Sequence, residues 1–167
     1  MRAILLLAAL LYFPSPLNAP EVIVHIKTPR EAAWTWINTK VDSPYKWGGN
    51  EIKDGGFDCS GITNGALRKF DLTFADHTAA DLADMFPEAR LPHLRPGDLL
   101  FWKSKTGSGR VVHVEMVWAI FEGQIYSIGA SGGGPDTTTL SAAQRADARV
   151  KIHKAYGWAF ARNPYGD

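Results

Sequence analysis

Two hydrophobic patterns divide this chain, and their order limits the folds open to it. Residues 29–86 carry apolar positions at helical spacing, while residues 99–161 are rich in strand-like apolar runs. Helices first and strands later predict an α+β fold with an antiparallel sheet, not the alternating units of a parallel one. Thr28-Pro29-Arg30-Glu31 is a capping box with proline at the first helical position. It predicts a helix over 29–40, with Ala33, Trp36 and Ile37 facing inward. The Gly-, Pro- and Asn-rich stretch 43–56 reads as a long loop. Further helices are expected over 58–70 and over 78–86, the latter stopped by Pro87. After a turn at Arg95-Pro96-Gly97-Asp98, strands are expected at 99–103, 111–121 and 124–128. Glu122-Gly123 marks a hairpin between the last two. A Gly-rich loop at 131–136, a helix at 140–148 and one or two strands within 150–161 complete the chain.

A length of 167 residues suits one domain. The single cysteine excludes an internal disulfide framework and a cysteine-rich zinc site. No pair of histidines or carboxylates has metal-ligand spacing, and Ser131-Gly132-Gly133-Gly134 lacks the context of a phosphate loop. No metal or other cofactor is therefore expected. A net charge of +1 has no basic footprint for nucleic acid. The start of the chain is different in kind. Met1-Arg2 precedes the uncharged, mostly aliphatic run 3–13, which reads as a signal peptide ending near Ala19. The run is too short for a bilayer core of ~30 Å. Leu17 and Pro20 make a poor cleavage site, so a short uncleaved anchor is the alternative for 1–19. Residues 20–28 would be an extended lead-in, and 29–167 the functional domain of an exported protein.

The sharpest chemical signal is Asp58-Cys59-Ser60-Gly61. Asp58 suits an N-cap, which puts Cys59 on the first helical turn. Backbone N–H groups and the helix dipole there favour a thiolate over a thiol. The inert alternative is a buried structural cysteine. The Gly-rich approach, the helix start and the polar neighbours argue against it. A nucleophilic thiol needs a base, and five histidines are available. His113 lies in an apolar strand-like run, a rigid mount for a base, although such histidines are commonly just satisfied core residues. His77, before a helix, is the second choice. His25, His93 and His153 read as surface residues in loop or terminal contexts.

Four motifs occur in order: Tyr45-Lys-Trp-Gly-Gly49, Asp58-Cys-Ser-Gly61, Arg95-Pro-Gly-Asp-Leu-Leu-Phe101 and His113-Val114. Together they resemble the NlpC/P60 family of papain-like cysteine peptidases, over roughly half the chain. The resemblance implies helices packed on an antiparallel sheet, with the cysteine opening a helix and the histidine on a facing strand. It implies hydrolysis of amide bonds in peptidoglycan stem peptides, typically between γ-D-glutamate and a diamino acid. Cys59 then stands in the nucleophile's place and His113 in the base's. Tyr45 matches a tyrosine near the oxyanion, and Asp58 and Ser60 match positions that hold the substrate's N-terminal end. Trp47, beside Tyr45, is the one tryptophan expected in the groove instead of the core.

One departure stands out. The family usually carries a third polar residue on the strand after the base, and here Gly129 falls in that register. Ser127, Ser131 or a backbone carbonyl would have to orient the imidazole instead. Glu115, two residues from His113 on the same strand face, is expected to pair with a strand neighbour. The cations of 103–110 read as a solvated loop, with attraction of a substrate carboxylate as the alternative. Two rival readings follow. One is an amidase cutting the sugar–peptide bond, or an acyltransferase, on the same scaffold. The other is a catalytically weak wall-binding module. A bacterial or phage partner protein is the expected source of targeting to the wall.

Overall fold

The computed structural model describes residues 27–167. The segment read as an export signal or anchor, His25 and most of the lead-in lie outside the described residues. Helix α1 (Pro29–Asn38) starts at the expected capping box, with the Thr28 and Glu31 side chains each accepting from the other's backbone N–H. Helix α2 (Cys59–Leu67) and helix α3 (Ala79–Met85) follow. Both are shorter than the apolar spacing suggests, because Arg68 and Phe86 already cap them. The loop before α2 holds a small antiparallel pair, β1 (Asn50–Glu51) and β2 (Gly56–Phe57), around a single 3-10 turn.

The strands β3 (Glu88–Ala89), β4 (Leu99–Lys103), β5 (Val111–Phe121), β6 (Gln124–Ser131), β7 (Arg149–Lys154) and β8 (Phe160–Arg162) form one antiparallel sheet. Its order is β3-β8-β4-β5-β6-β7. Helix α4 (Leu140–Arg145) bridges β6 and β7. The α+β fold inferred from the order of patterns is the fold observed.

Strand alternation divides the core in two. Leu99, Phe101, Val114, Met116, Ile128 and Val150 pack with Ala33, Ile37, Ile62 and Leu67 of the helices. Leu100, Val117, Ile125 and Ala161 belong to a second, smaller cluster. Tryptophans fasten α1 to the sheet. The Trp34 indole donates to the Trp118 carbonyl at 3.0 Å, and the Trp118 indole donates to Asn38 at 2.8 Å. Trp36 is only half-buried, edge-on to Phe57.

The expected turn at 95–98 has a second task. Asp98 accepts from the Arg95 backbone N–H at 2.8 Å and from the Arg30 guanidinium at 2.9 Å. Arg30 also reaches Asn163 and Asp167. The start of α1, the entrance to β4 and the end of the chain are thereby joined around one carboxylate.

Candidate active site

Asp58 positions the start of α2. Its Oδ1 accepts from the Gly61 backbone N–H at 2.7 Å and from the Ser60 hydroxyl at 3.0 Å. Its Oδ2 accepts from the Gly48 backbone N–H at 2.9 Å, which ties the Tyr45–Gly49 stretch to the helix. Cys59 is the first helical residue, with its backbone N–H at the positive end of the helix dipole. The thiol is nearly buried, yet it lines an open cleft of about 450 Å3. The expected participants Trp47, Asp58 and Ser60 share that cleft, with Thr78, Arg110 and Pro135 around the rim. Half of Trp47 is exposed. The other tryptophans of the described residues are packed against the two cores.

Tyr45 is buried against the glycine-rich loop, where a Cβ at Gly133 would overlap its ring. Burial is the main reason its hydroxyl is pushed well above the ordinary phenol range, with the charges of Cys59 and Asp58 adding to it. The phenol is therefore neutral near pH 7.

His113, on β5, stands near Cys59, and the two side chains interact. Its Nε2 lies 2.9 Å from Oε1 of Glu115. Burial pulls the imidazole's proton affinity down. The interactions with Cys59 and Glu115 outweigh it and hold the ring up at about 10. His113 is thus an imidazolium near neutral pH. The alternative base His77 packs on Phe74, with its backbone carbonyl taken by Asn64. His93 borders a separate surface hollow with Arg95 and Asp98.

The third partner of the imidazole differs from expectation. Ser127 does not touch His113. It donates to Oε2 of Glu115 at 2.5 Å. Ser131 lies 3.5 Å from His153, also away from the His113 ring. The group on His113 is Glu115, which lies almost wholly buried between Ser127, His113 and a third donor, His153. Burial alone would raise its pKa. The bonds from His113 and His153 win, and the carboxyl is held down at about 2. The glycine at 129 makes this possible. A Cβ there would stand 2.7 Å from Cγ of Glu115. The missing side chain in the expected register is thus the space that a neighbouring strand's carboxylate fills. The signal was present in the sequence as an acid at i+2 of the base, opposite a glycine. Recognising it needs the β5–β6 register. His153 likewise sits on β7 with its ring on Glu115, not in a loop. Among the described residues, no group of three or more acidic, cysteine or histidine side chains is placed to hold a metal ion.

A helix-borne thiol thus faces a sheet-borne imidazole with a carboxylate behind it, the order of nucleophile, base and orienting group. The chain belongs to the NlpC/P60 family, whose model matches residues 42–156. Among solved structures, an NlpC/P60 family protein from Bacillus cereus aligns with a TM-score of 0.61 at 24% identity. The alignment covers 81% of this chain and 40% of that one. The peptidoglycan hydrolase RipB from Mycobacterium tuberculosis aligns with a TM-score of 0.58 at 20% identity, over 83% of this chain and 66% of its own. RipD from the same organism, a non-catalytic NlpC/P60 domain protein adapted to peptidoglycan binding, aligns at 0.57 and 14%, over 83% and 99%. At these identities the likeness is one of fold. No curated protein matches the chain.

Proposed function

We propose that this chain is a cysteine hydrolase that cleaves amide bonds in peptidoglycan stem peptides, at the bond between γ-D-glutamate and a diamino acid. The observation that carries the reading is Cys59 in the wall of an open cleft, next to a His113 ring that is hydrogen-bonded to the buried Glu115. RipD supports the competing reading of a non-catalytic wall binder. Glu115 argues against that reading here, because the site retains an ionised group behind the base.

In this mechanism the Cys59 sulfur, paired with the His113 imidazolium, attacks the scissile carbonyl and forms a tetrahedral oxyanion. The Cys59 backbone N–H and the Tyr45 hydroxyl are the donors for that oxyanion. His113 then protonates the leaving amine, and the C–N bond breaks to give a thioester. The neutral imidazole next takes a proton from water, whose oxygen attacks the thioester. Collapse breaks the C–S bond and expels the Cys59 thiolate, which re-forms the ion pair with the protonated imidazole, and the acid product gives its remaining proton to solvent. Glu115 keeps the imidazole oriented and steadies its positive charge throughout. The Arg110 guanidinium at the cleft rim suits a carboxylate on the peptide, and Trp47 offers an apolar wall. Asp58 and Ser60 are the residues for the substrate's N-terminal end. The apolar run 3–13 serves export to the envelope, where the wall lies, and a partner protein supplies targeting to it.

Digestion of purified peptidoglycan followed by mass spectrometry tests the reading. The expected products carry a new amino terminus on the diamino acid, and Cys59→Ala abolishes their release. Products cut between sugar and peptide would identify an amidase instead. Digestion that survives in Cys59→Ala, or binding without digestion by the unaltered chain, would overturn the assignment.

A further inference from the structure

His153 is a titratable group at the back of the site that the mechanism above does not use. Its Nδ1 lies 3.1 Å from the Lys154 carbonyl oxygen. A carbonyl only accepts, so Nδ1 carries a proton. Its Nε2 lies 3.0 Å from Oε1 of Glu115. An ionised carboxylate also only accepts, so Nε2 carries a proton as well. Both nitrogens protonated means an imidazolium. The groups of β5 and β6 that face the ring are consistent with that charge or indifferent to it. Glu115 comes from β5, the Ser131 hydroxyl stands 3.5 Å away on β6, and Ser127 is its cross-strand partner on β6. On its own strand Lys151 opposes the charge. The side chain is 38% exposed, so water also solvates the charge.

We propose that His153 is a positioning residue: a cation that pins Oε1 of Glu115 beside His113 and divides that carboxylate's charge with it. The proposal rests on the Cys59–His113 reading above. From front to back the charges then alternate: sulfur negative, His113 positive, Glu115 negative, His153 positive. The alternation matters for the acid step. A buried carboxylate with one imidazolium partner holds that partner's proton tightly, and a tightly held proton is given up slowly to a leaving amine. A second cation on the same oxygen weakens that hold. It also prevents the carboxylate from turning its oxygens away. Ser127 secures the other oxygen, so three donors hold Glu115 from three directions.

The test compares the full chain with His153→Gln, whose amide can still donate to Glu115 but carries no charge. Alkylation of Cys59 by iodoacetate, an anion drawn to the imidazolium, is followed against pH. Its alkaline limb reports the loss of the His113 proton. In His153→Gln that limb moves to higher pH by roughly 0.5–1 unit. A folded variant whose limb coincides with that of the unaltered chain overturns the proposal. Nitrogen-15 NMR of the unaltered chain needs no variant to fold. Both His153 nitrogens carry protons at pH 7 if the proposal holds, and a neutral His153 ring sinks it. A free-thiol alkylation profile in the unaltered chain sinks the Cys59–His113 reading and this proposal with it. An intact ion pair with an unmoved limb sinks only the role of His153.

Discussion

Gly129 contributes to the site by what it leaves empty. With hydrogen in place of a side chain, it admits the Glu115 chain to a position between His113 and Ser127. The carboxylate is a stronger orienter of an imidazole than the serines expected in its place. A methyl group at this position tests the idea. Gly129→Ala puts a carbon 2.7 Å from Cγ of Glu115, so the carboxylate must shift. Overpacking of this kind costs about 1–3 kcal/mol, read as a lowered midpoint in urea. Peptide hydrolysis should fall by roughly tenfold or more as His113 loses its fixed partner, with KM little changed. Full activity in Gly129→Ala would mean that Glu115 does not orient the base.

At the scale of elements, α2 is a nine-residue helix asked to hold its first side chain in one place. Propensity alone does not stabilise a helix that short. The Asp58 cap and burial of nearly the whole helix do so. Asp58 also clips the Gly48 backbone to the helix start, which brings the Tyr45 loop and the thiol together. Asp58→Ala removes cap and clip at once. Loss of the cap costs about 1 kcal/mol in denaturant unfolding. Alkylation of Cys59 should slow as well, since the thiol loses its fixed relation to His113. Asp58→Asn keeps an acceptor for Gly61 and should regain most of the stability. If both variants unfold alike, the cap is not what holds this helix end.

Across the whole molecule, the buried charges make stability depend on pH on both sides of neutrality. Glu115 titrates at about 2 in the fold against an ordinary value of 4.5. A depressed carboxylate stabilises the fold above its unfolded value, and that contribution disappears as pH falls from 4.5 toward 2. His113 titrates at about 10 against an ordinary 6.5. A raised imidazole stabilises fully below 6.5, and its contribution disappears as pH rises toward 10. Scanning calorimetry should therefore show Tm highest between about pH 5 and 6.5, falling on either side. Glu115→Gln, which removes the charge that both histidines face, should lower that maximum and flatten the alkaline fall. A Tm that rises steadily from pH 6.5 to 10 in the unaltered chain would contradict this account.

Local signals explain why so much could be read without coordinates. A capping box, an aspartate before Cys59 and alternation along 111–121 each act within a few residues of themselves, so sequence alone determined the helices, the long strands and the α+β order. The same holds for the thiol at a helix start and for the place of His113 on a strand. The two-residue strands β1, β2 and β3 depend instead on the partners that the fold brings to them. The partner of the base was decided elsewhere. It depends on the register of β5 against β6, on β7 lying beside β6, and on an empty position at 129 into which a buried acid could turn. Ser127 and Ser131 were near in sequence to the expected place, yet their hydroxyls reach Glu115 and His153. Pairing between strands joins residues far apart in the chain. Only the folded sheet, by setting which side chains share a face, chose a carboxylate held by two histidines.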